Sequence, residues 1–307
     1  MLDLFSLLSR GYFFRELPPP FSSELFANVM TAQNQPIPSS FTNSRRLSKH
    51  CLHNVARVGL HRRKMRLPNP VGFYNLASDL VRNWSSIDAH NKRSPFSKSI
   101  PSVHPIGRAV IPEYSFVDLL GFRAFVRANS RYILRADISN FYPTIYTHSI
   151  PWAIHTKPIA KTNRKYSLYG NSVDRWARNC QDGQTIGIPI GPDTSLIIAE
   201  IILNAADTVL ASYLSGSLSG IRGFRHIDDY EFGCSSFAQA EELLAKLQQA
   251  INEFELELNL RKTSIIELPI PLESPWVSEL RDFPLPSYCK APETRSNHVF
   301  RSSNKVI

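Results

Sequence analysis

Acidic residues are missing from residues 25–78, although that stretch carries Arg45, Arg46, Lys49, Arg57, Arg62, Arg63, Lys64 and Arg66. Across the chain, 35 Lys and Arg stand against 26 Asp and Glu, for a net charge of +9 and a pI near 9.5. That surplus points to a polyanionic partner, and nucleic acid is the commonest. Cysteine is scarce. The four present (Cys51, Cys180, Cys234 and Cys289) are far apart and form no Cys-x-x-Cys pair, which excludes a disulfide framework and fits a reducing compartment. Cys51 lies among His50, His53 and His61, but no second ligand pair follows at metal-site spacing, so it is not read as a zinc site. Long apolar runs are absent as well. With no uninterrupted stretch of about 18 apolar residues, no membrane partner is expected. The early Asp3 and the lack of a basic-then-apolar order argue against a secretory signal.

What is present is a chain of 307 residues, 43% hydrophobic, enough for one large domain or two modest ones. Residues 1–70 mix Pro, Ser and basic residues with short apolar pieces and read as short helices on a loop-rich surface. Six prolines between 68 and 112 make that stretch read as irregular, and a helix is expected over 114–128. Residues 131–138 favour a buried strand that ends in a carboxylate. A turn at 140–143 and a helix over 146–155 follow. Residues 187–191 form a tight Gly/Pro turn. Asp193 or Thr194 is then placed to cap a helix reaching Leu214, which is apolar almost all round and so belongs inside the domain. Residues 223–227 and 230–234 read as a hairpin with Asp228 and Asp229 at its turn. Ser236 and Gln239 form a capping box ahead of a helical face marked by Ala240, Leu244, Leu247, Ile251, Phe254 and Leu258. A strand over 264–268 closes the pattern. The resulting fold class is α+β, an antiparallel sheet backed by helices.

Asp137 ends one strand, and Asp228 and Asp229 occupy the hairpin turn. If those strands are neighbours, three carboxylates converge, and they repel one another unless a cation neutralises them. Mg²⁺ is the natural partner because it takes oxygen ligands and keeps positions for phosphate. Two such ions ~3.5–4 Å apart can activate a 3′-hydroxyl and steady a leaving pyrophosphate. Taken alone, an Asp-Asp pair in a hairpin is ordinary turn chemistry.

Four motifs in order give the pair its context. Phe224-Arg225-His226-Ile227-Asp228-Asp229-Tyr230 resembles the catalytic hairpin of reverse transcriptases. Arg135-Ala136-Asp137-Ile138-Ser139-Asn140-Phe141-Tyr142-Pro143 resembles their first catalytic strand. The segment from Gly187 to Ser195 is similar to their glycine-rich turn and helix, and Leu258-Asn259-Leu260-Arg261-Lys262-Thr263 to their lysine motif. ADISNFYPTIYTHSIPWAIH, IPIGPDTS and the opening RGYFFRELPPPF look like the bacterial abortive-infection and defence-associated group, as does PWVSEL near the end. That resemblance implies a right-hand polymerase with fingers and an antiparallel palm. Residues 1–130 would be a basic N-terminal region and fingers, and 131–285 the palm with a fingers insertion at about 156–186. Residues 286–307 would be a polar tail, with a thumb or C-terminal helical domain missing.

The same resemblance implies site roles. Asp137, Asp228, Asp229 and the carbonyl of Ile138 would hold two Mg²⁺, with Mn²⁺ as a substitute. Tyr142 would crowd a ribose 2′-hydroxyl and favour dNTPs, and Gly191 would let backbone approach the nucleotide. Lys262 would sit near the pyrophosphate as its proton donor, and Lys98 and Arg108 would be triphosphate cations. The partners implied are dNTPs with RNA or DNA, and either a homo-oligomer or a separate C-terminal partner. The compartment implied is the bacterial cytoplasm. Three departures stand out. Ile190 replaces a glutamine, which puts faithful templated copying in doubt. His226 replaces a tyrosine and can titrate near neutral pH. Glu257 stands where glycine is common. Two alternatives stay open: a catalytically idle scaffold that binds nucleic acid, and a retron or group II intron type enzyme.

Overall fold

The computed structural model describes residues 1–283 apart from 19, 34–35, 43–45, 58–61 and 274. The tail at 286–307 and Cys289 lie outside the described residues. Two hairpins come first: β1 (Cys51–Ala56) with β2 (Arg62–Leu67), and β3 (Pro101–Val103) with β4 (Val110–Pro112). A four-stranded antiparallel sheet follows, formed by β5 (Tyr132–Asp137), β6 (Arg222–His226), β7 (Asp229–Cys234) and β8 (Ser264–Glu267) in the spatial order β6-β7-β5-β8. This is the α+β architecture expected, with β5, which carries Asp137, as an inner strand.

Side-chain alternation divides the sheet between two cores. Leu134, Ala136, Tyr230 and Phe232 face the main core, while Ile133 and Phe224 pack with Leu119 and Val126 of the helix Leu119–Arg127 on the other face. The long helix Asp193–Tyr213 runs through the main core and buries Ile197, Ile198, Ile201, Ile202, Leu203 and Leu210. It is long and apolar enough to cross a bilayer, but 78% of its apolar window is buried within the fold. The main core is continuous from Leu2 and Leu7 near the start to Leu258 beyond the sheet, so it spans both sides of residue 130.

Several elements differ from expectation. Residues 68–112 are ordered secondary structure rather than irregular, with helices Pro70–Arg82 and Trp84–Asn91 and the β3–β4 hairpin. The prolines there act as punctuation. Pro70 opens a helix whose cap, Asn69, accepts from the Val71 N–H at 3.0 Å, and Pro101 pairs with Pro112 at the hairpin's end. The first seventy residues also hold a hairpin, and the helix Leu4–Arg10 buries Leu7 and Leu8 instead of lying on a loop-rich surface. The helix expected from 114 starts at Leu119, because Ser115 donates to the Asp118 carboxylate and makes a turn first. Likewise, the helix expected from 146 starts at Ser149. Pro192, not Asp193 or Thr194, caps the long helix, and the Asp193 carboxylate is engaged elsewhere. At 236–239 the reciprocal bond of the capping box comes from the Ser235 N–H rather than that of Ser236.

Candidate active site

The strand pairing sets the site. Asp137 at the end of β5 lies opposite Asp229 at the start of β7, and Asp228 sits in the turn between β6 and β7. The turn is locked onto β5, because the Ile138 N–H donates to the Asp228 carbonyl at 3.2 Å. The loop carrying Lys262 is held by the Asn259 N–H, which donates to the Asp137 carbonyl at 2.7 Å. From there Lys262 Nζ donates to Asp137 Oδ2 at 2.7 Å. That hydrogen bond, with the three carboxylates nearby, raises the ammonium's pKa above its ordinary value.

The carboxylates feel one another. Burial, followed by the charge of Asp137, raises Asp228, while Lys262 and Arg63 pull the other way. Asp229 shows an edge to solvent yet is packed among protein atoms. That desolvation, then the charges of Asp228 and Asp137, pushes its carboxyl up to about 6. Such repulsion is what a hard cation relieves, and the donor set (three carboxylates and a backbone carbonyl at Ile138) suits one. Among the described residues no three carboxylate, His or Cys side chains stand as a ready-formed cage, and Asp137 is turned to Lys262 instead.

A stability prediction follows from Asp229. Its folded pKa lies above the ordinary 3.8, so the folded state binds the proton more tightly and the metal-free protein loses stability as the pH rises from about 4, the penalty being full above about pH 6. Asp229→Asn removes that penalty. In EDTA at pH 7.5 the variant is expected to gain about 1 kcal/mol after discounting for solvent screening, or about 2 °C in melting temperature. Thermal melts from pH 7.5 down to pH 5 should show the gain shrinking. A variant that melts lower at every pH would contradict the assigned repulsion.

A cavity of about 760 Å³ lies beside the hairpin, with Arg63, Tyr142, Ile190, Gly191, His226 and Ile227 in its wall. Gly191 has φ +131°, and a Cβ there would stand 2.7 Å from Phe14 Cβ, so the turn passes where only glycine fits. The Arg66 N–H donates to the Ile190 carbonyl at 3.1 Å, which ties β2 to this turn. Burial and the charge of Asp228 keep the Tyr142 phenol neutral, well above its ordinary range. A second cavity, of about 500 Å³, shares Phe116, Arg123 and His226 with the first and is walled by Arg135, Asp137, Asp229 and Lys262.

The structure thus brings Asp137, Asp228, Asp229 and Lys262 together with Ile138 adjoining them, while Tyr142 and Gly191 line the first cavity. Lys98 and Arg108 are placed differently from a pair of triphosphate cations. Lys98 Nζ lies over the Phe122 ring, 4.8 Å from its centroid. The Arg108 guanidinium donates to Asp193 at 2.7 Å, to the Gly191 carbonyl at 2.7 Å and to the Phe13 carbonyl, so it braces the glycine turn. His226 is buried, and burial holds its imidazole below the usual range, which corrects the expectation that it titrates near neutrality. Sequence reasoning missed Arg63, whose charge reaches both Asp228 and Tyr142. It also missed the buried ion network of Arg225 with Glu200 and Asp207. The acid-free basic run was the signal for the first. For the second it was two acids seven apart on an otherwise apolar helix.

Residues 92–285 match the family model described as reverse transcriptase (RNA-dependent DNA polymerase). Among solved structures, apo telomerase from Candida tropicalis truncated from its C-terminal domain is similar at TM-score 0.53 and 11% identity, over 84% of this chain and 60% of that one. Apo telomerase from Candida tropicalis is similar at TM-score 0.52 and 12% identity, over 80% of this chain and 49% of that one. The chain spans roughly half to three-fifths of these structures, and at such identity the likeness is one of fold. No curated protein sequence matches it.

Proposed function

This chain belongs to the reverse transcriptase family, and on that premise we propose that it is an RNA-directed DNA polymerase that joins dNTPs by nucleotidyl transfer. The observation that carries the proposal is the register of β5 with β7, which sets Asp137 against Asp229 beside Asp228 and within reach of Lys262. Asp137, Asp228, Asp229 and the Ile138 carbonyl would hold Mg²⁺, which when bound supplies Lewis-acid activation of the 3′-hydroxyl and charge neutralisation at the phosphates.

The chain's own residues divide the remaining work. Arg63 supplies a fixed positive charge facing the triphosphate side of the cavity, the part first given to Lys98 and Arg108. As the 3′-oxygen bonds to the α-phosphorus and gives its proton to solvent water, the bond to pyrophosphate breaks, and the Lys262 ammonium can give the leaving oxygen a proton. Tyr142 stands as a neutral ring in the cavity wall, where a ribose 2′-hydroxyl would meet it. Tyr142→Ala is expected to raise rNTP incorporation relative to dNTP by roughly 10- to 100-fold, read by competing labelled rNTP and dNTP. An unchanged ratio would remove the steric assignment.

The partners proposed are dNTPs and an RNA or DNA strand, drawn to the basic fingers hairpin. The likeness of ADISNFYPTIYTHSIPWAIH and IPIGPDTS to the abortive-infection group supports a role in antiphage defence, in which the same chemistry can also run without a template from a protein primer. Ile190, which cannot hydrogen-bond a nucleotide through its side chain, agrees with relaxed template use. Purified protein incubated with Mg²⁺ and each labelled dNTP, with and without primer-template, tests both. Label on added primer only would support templated copying. Label on the protein itself without template would support protein priming, and no label anywhere would overturn the polymerase reading.

A further inference from the structure

The turn that carries Asp228 is held in a backbone conformation its residue does not favour. Ile227 has φ +55°, in the left-handed region where a β-branched side chain crowds its own backbone. Both of its peptide groups are tied. Its N–H donates to Ser99 Oγ at 2.8 Å, and its carbonyl accepts from Arg225 Nη1 at 3.0 Å. The two tethers meet at one carboxylate, because Ser99 Oγ donates to Glu200 Oε2 at 3.1 Å and Arg225 donates to the same Glu200 at 2.7 and 3.0 Å. Glu200 is fixed in turn by the buried helix Asp193–Tyr213 and is 1% exposed. The chain from core helix to catalytic turn is therefore short and hydrogen-bonded throughout, buried at Glu200, Ser99 and Arg225 and half-buried at Ile227.

We propose that Ser99, Arg225 and Glu200 form a clamp that fixes the left-handed backbone of Ile227 and so positions Asp228 and Asp229 for nucleotidyl transfer. The proposal rests on the polymerase reading for its catalytic consequence, though the clamp itself is a property of the fold. With the N–H tether gone, the turn relaxes toward extended backbone and Asp228, the next residue, swings with it. These three are positioning residues, since they act through the turn and touch no reacting atom.

The decisive variant is Ser99→Ala, which removes the N–H tether and leaves the Arg225–Glu200 pair in place. Its control is Ser94→Ala, which deletes a hydroxyl bonded to Asp207 at 2.5 Å in the same network without touching the turn. Ser99→Ala is expected to lower kcat for dNTP incorporation by roughly 10- to 100-fold with KM for dNTP within about 2-fold. Ser94→Ala should keep kcat within about 3-fold of the parent. Adding Ile227→Gly to Ser99→Ala, which lifts the left-handed penalty, should recover part of the lost kcat. Amide hydrogen exchange gives a readout independent of activity. The Ile227 N–H should exchange roughly 10-fold faster in Ser99→Ala, while β5 amides stay protected. Unchanged exchange at Ile227, or equal kcat losses in the two serine variants, would overturn the clamp. An inactive parent protein with accelerated exchange in Ser99→Ala would overturn the polymerase reading and leave the clamp standing.

Discussion

Asp228→Asn is expected to lower nucleotide incorporation by on the order of 10³-fold, the loss of several kcal/mol of transition-state stabilisation when one carboxylate of the trio proposed to hold Mg²⁺ becomes neutral. Asn has the shape of Asp, and the main-chain bond from Ile138 to the residue 228 carbonyl does not involve the side chain. The hairpin should therefore stay in place. Burial and Asp137 already oppose the charge at this position, so the melting temperature of the metal-free variant should be no lower than that of the parent. Incorporation assays and thermal melts on one preparation check both halves. The combination expected, lost synthesis with retained or raised stability, separates a polymerase from a scaffold that only binds nucleic acid. A scaffold would show no synthesis in the parent and unchanged nucleic-acid binding in the variant, measured by filter binding, whereas a polymerase would lose synthesis in the variant alone. Synthesis at the parental rate would remove Asp228 from the chemistry.

The parts of the fold that could be read from sequence are those in which local pattern and tertiary placement agree. β5 alternates Leu134 and Ala136 toward the main core with Ile133, Arg135 and Asp137 on the opposite face. The β6–β7 hairpin has its turn where two aspartates interrupt the apolar pattern, and the helix Asp193–Tyr213 is too apolar to lie anywhere but inside. Neighbouring β5 and β7 then brought the carboxylates together as their order in the chain implied. Prolines misled between 68 and 112, because the same residue that breaks a helix interior also opens a helix at Pro70 and ends a hairpin at Pro101. Arg63 was hidden for another reason. Eight cations occur in one acid-free run, and only the pairing of β1 with β2 and the tie from Arg66 to Ile190 single out the one that faces Tyr142. The pairing of Arg108 with Asp193 could not be read from sequence because the two lie 85 residues apart, a distance at which charge pairing leaves no local trace.

The largest effect on stability is expected at Arg225, which is 0% exposed and joins Asp207 at 2.8 Å and Glu200 at 2.7 Å, both carboxylates fully buried. Burial pushes Glu200 up, but the charge and bonds of Arg225, helped by Ser97 and Ser99, outweigh it and hold the carboxyl below its ordinary range. Burial raises Asp207, which Arg225 only partly offsets, while Tyr230 donates to its other oxygen at 2.9 Å. Arg225→Met keeps most of the side-chain bulk and strands two carboxylates in the core. The expected loss is roughly 3–5 kcal/mol, which for a chain of this size is roughly 10 °C in melting temperature at pH 7.5. The sign of its pH dependence is fixed. A carboxyl left without its cation has a raised folded pKa, so the penalty is full above that value and fades as the pH falls and the group takes a proton. Melts at pH 7.5 and pH 5 should therefore show the deficit narrowing. Adding Glu200→Gln and Asp207→Asn to Arg225→Met removes the stranded charges and should recover most of the loss, since such a network contributes little net stability compared with a neutral replacement. If the single variant melted within 2 °C of the parent, or the triple variant recovered nothing, the ionic account of this core would fail, and the damage would have to be assigned to packing.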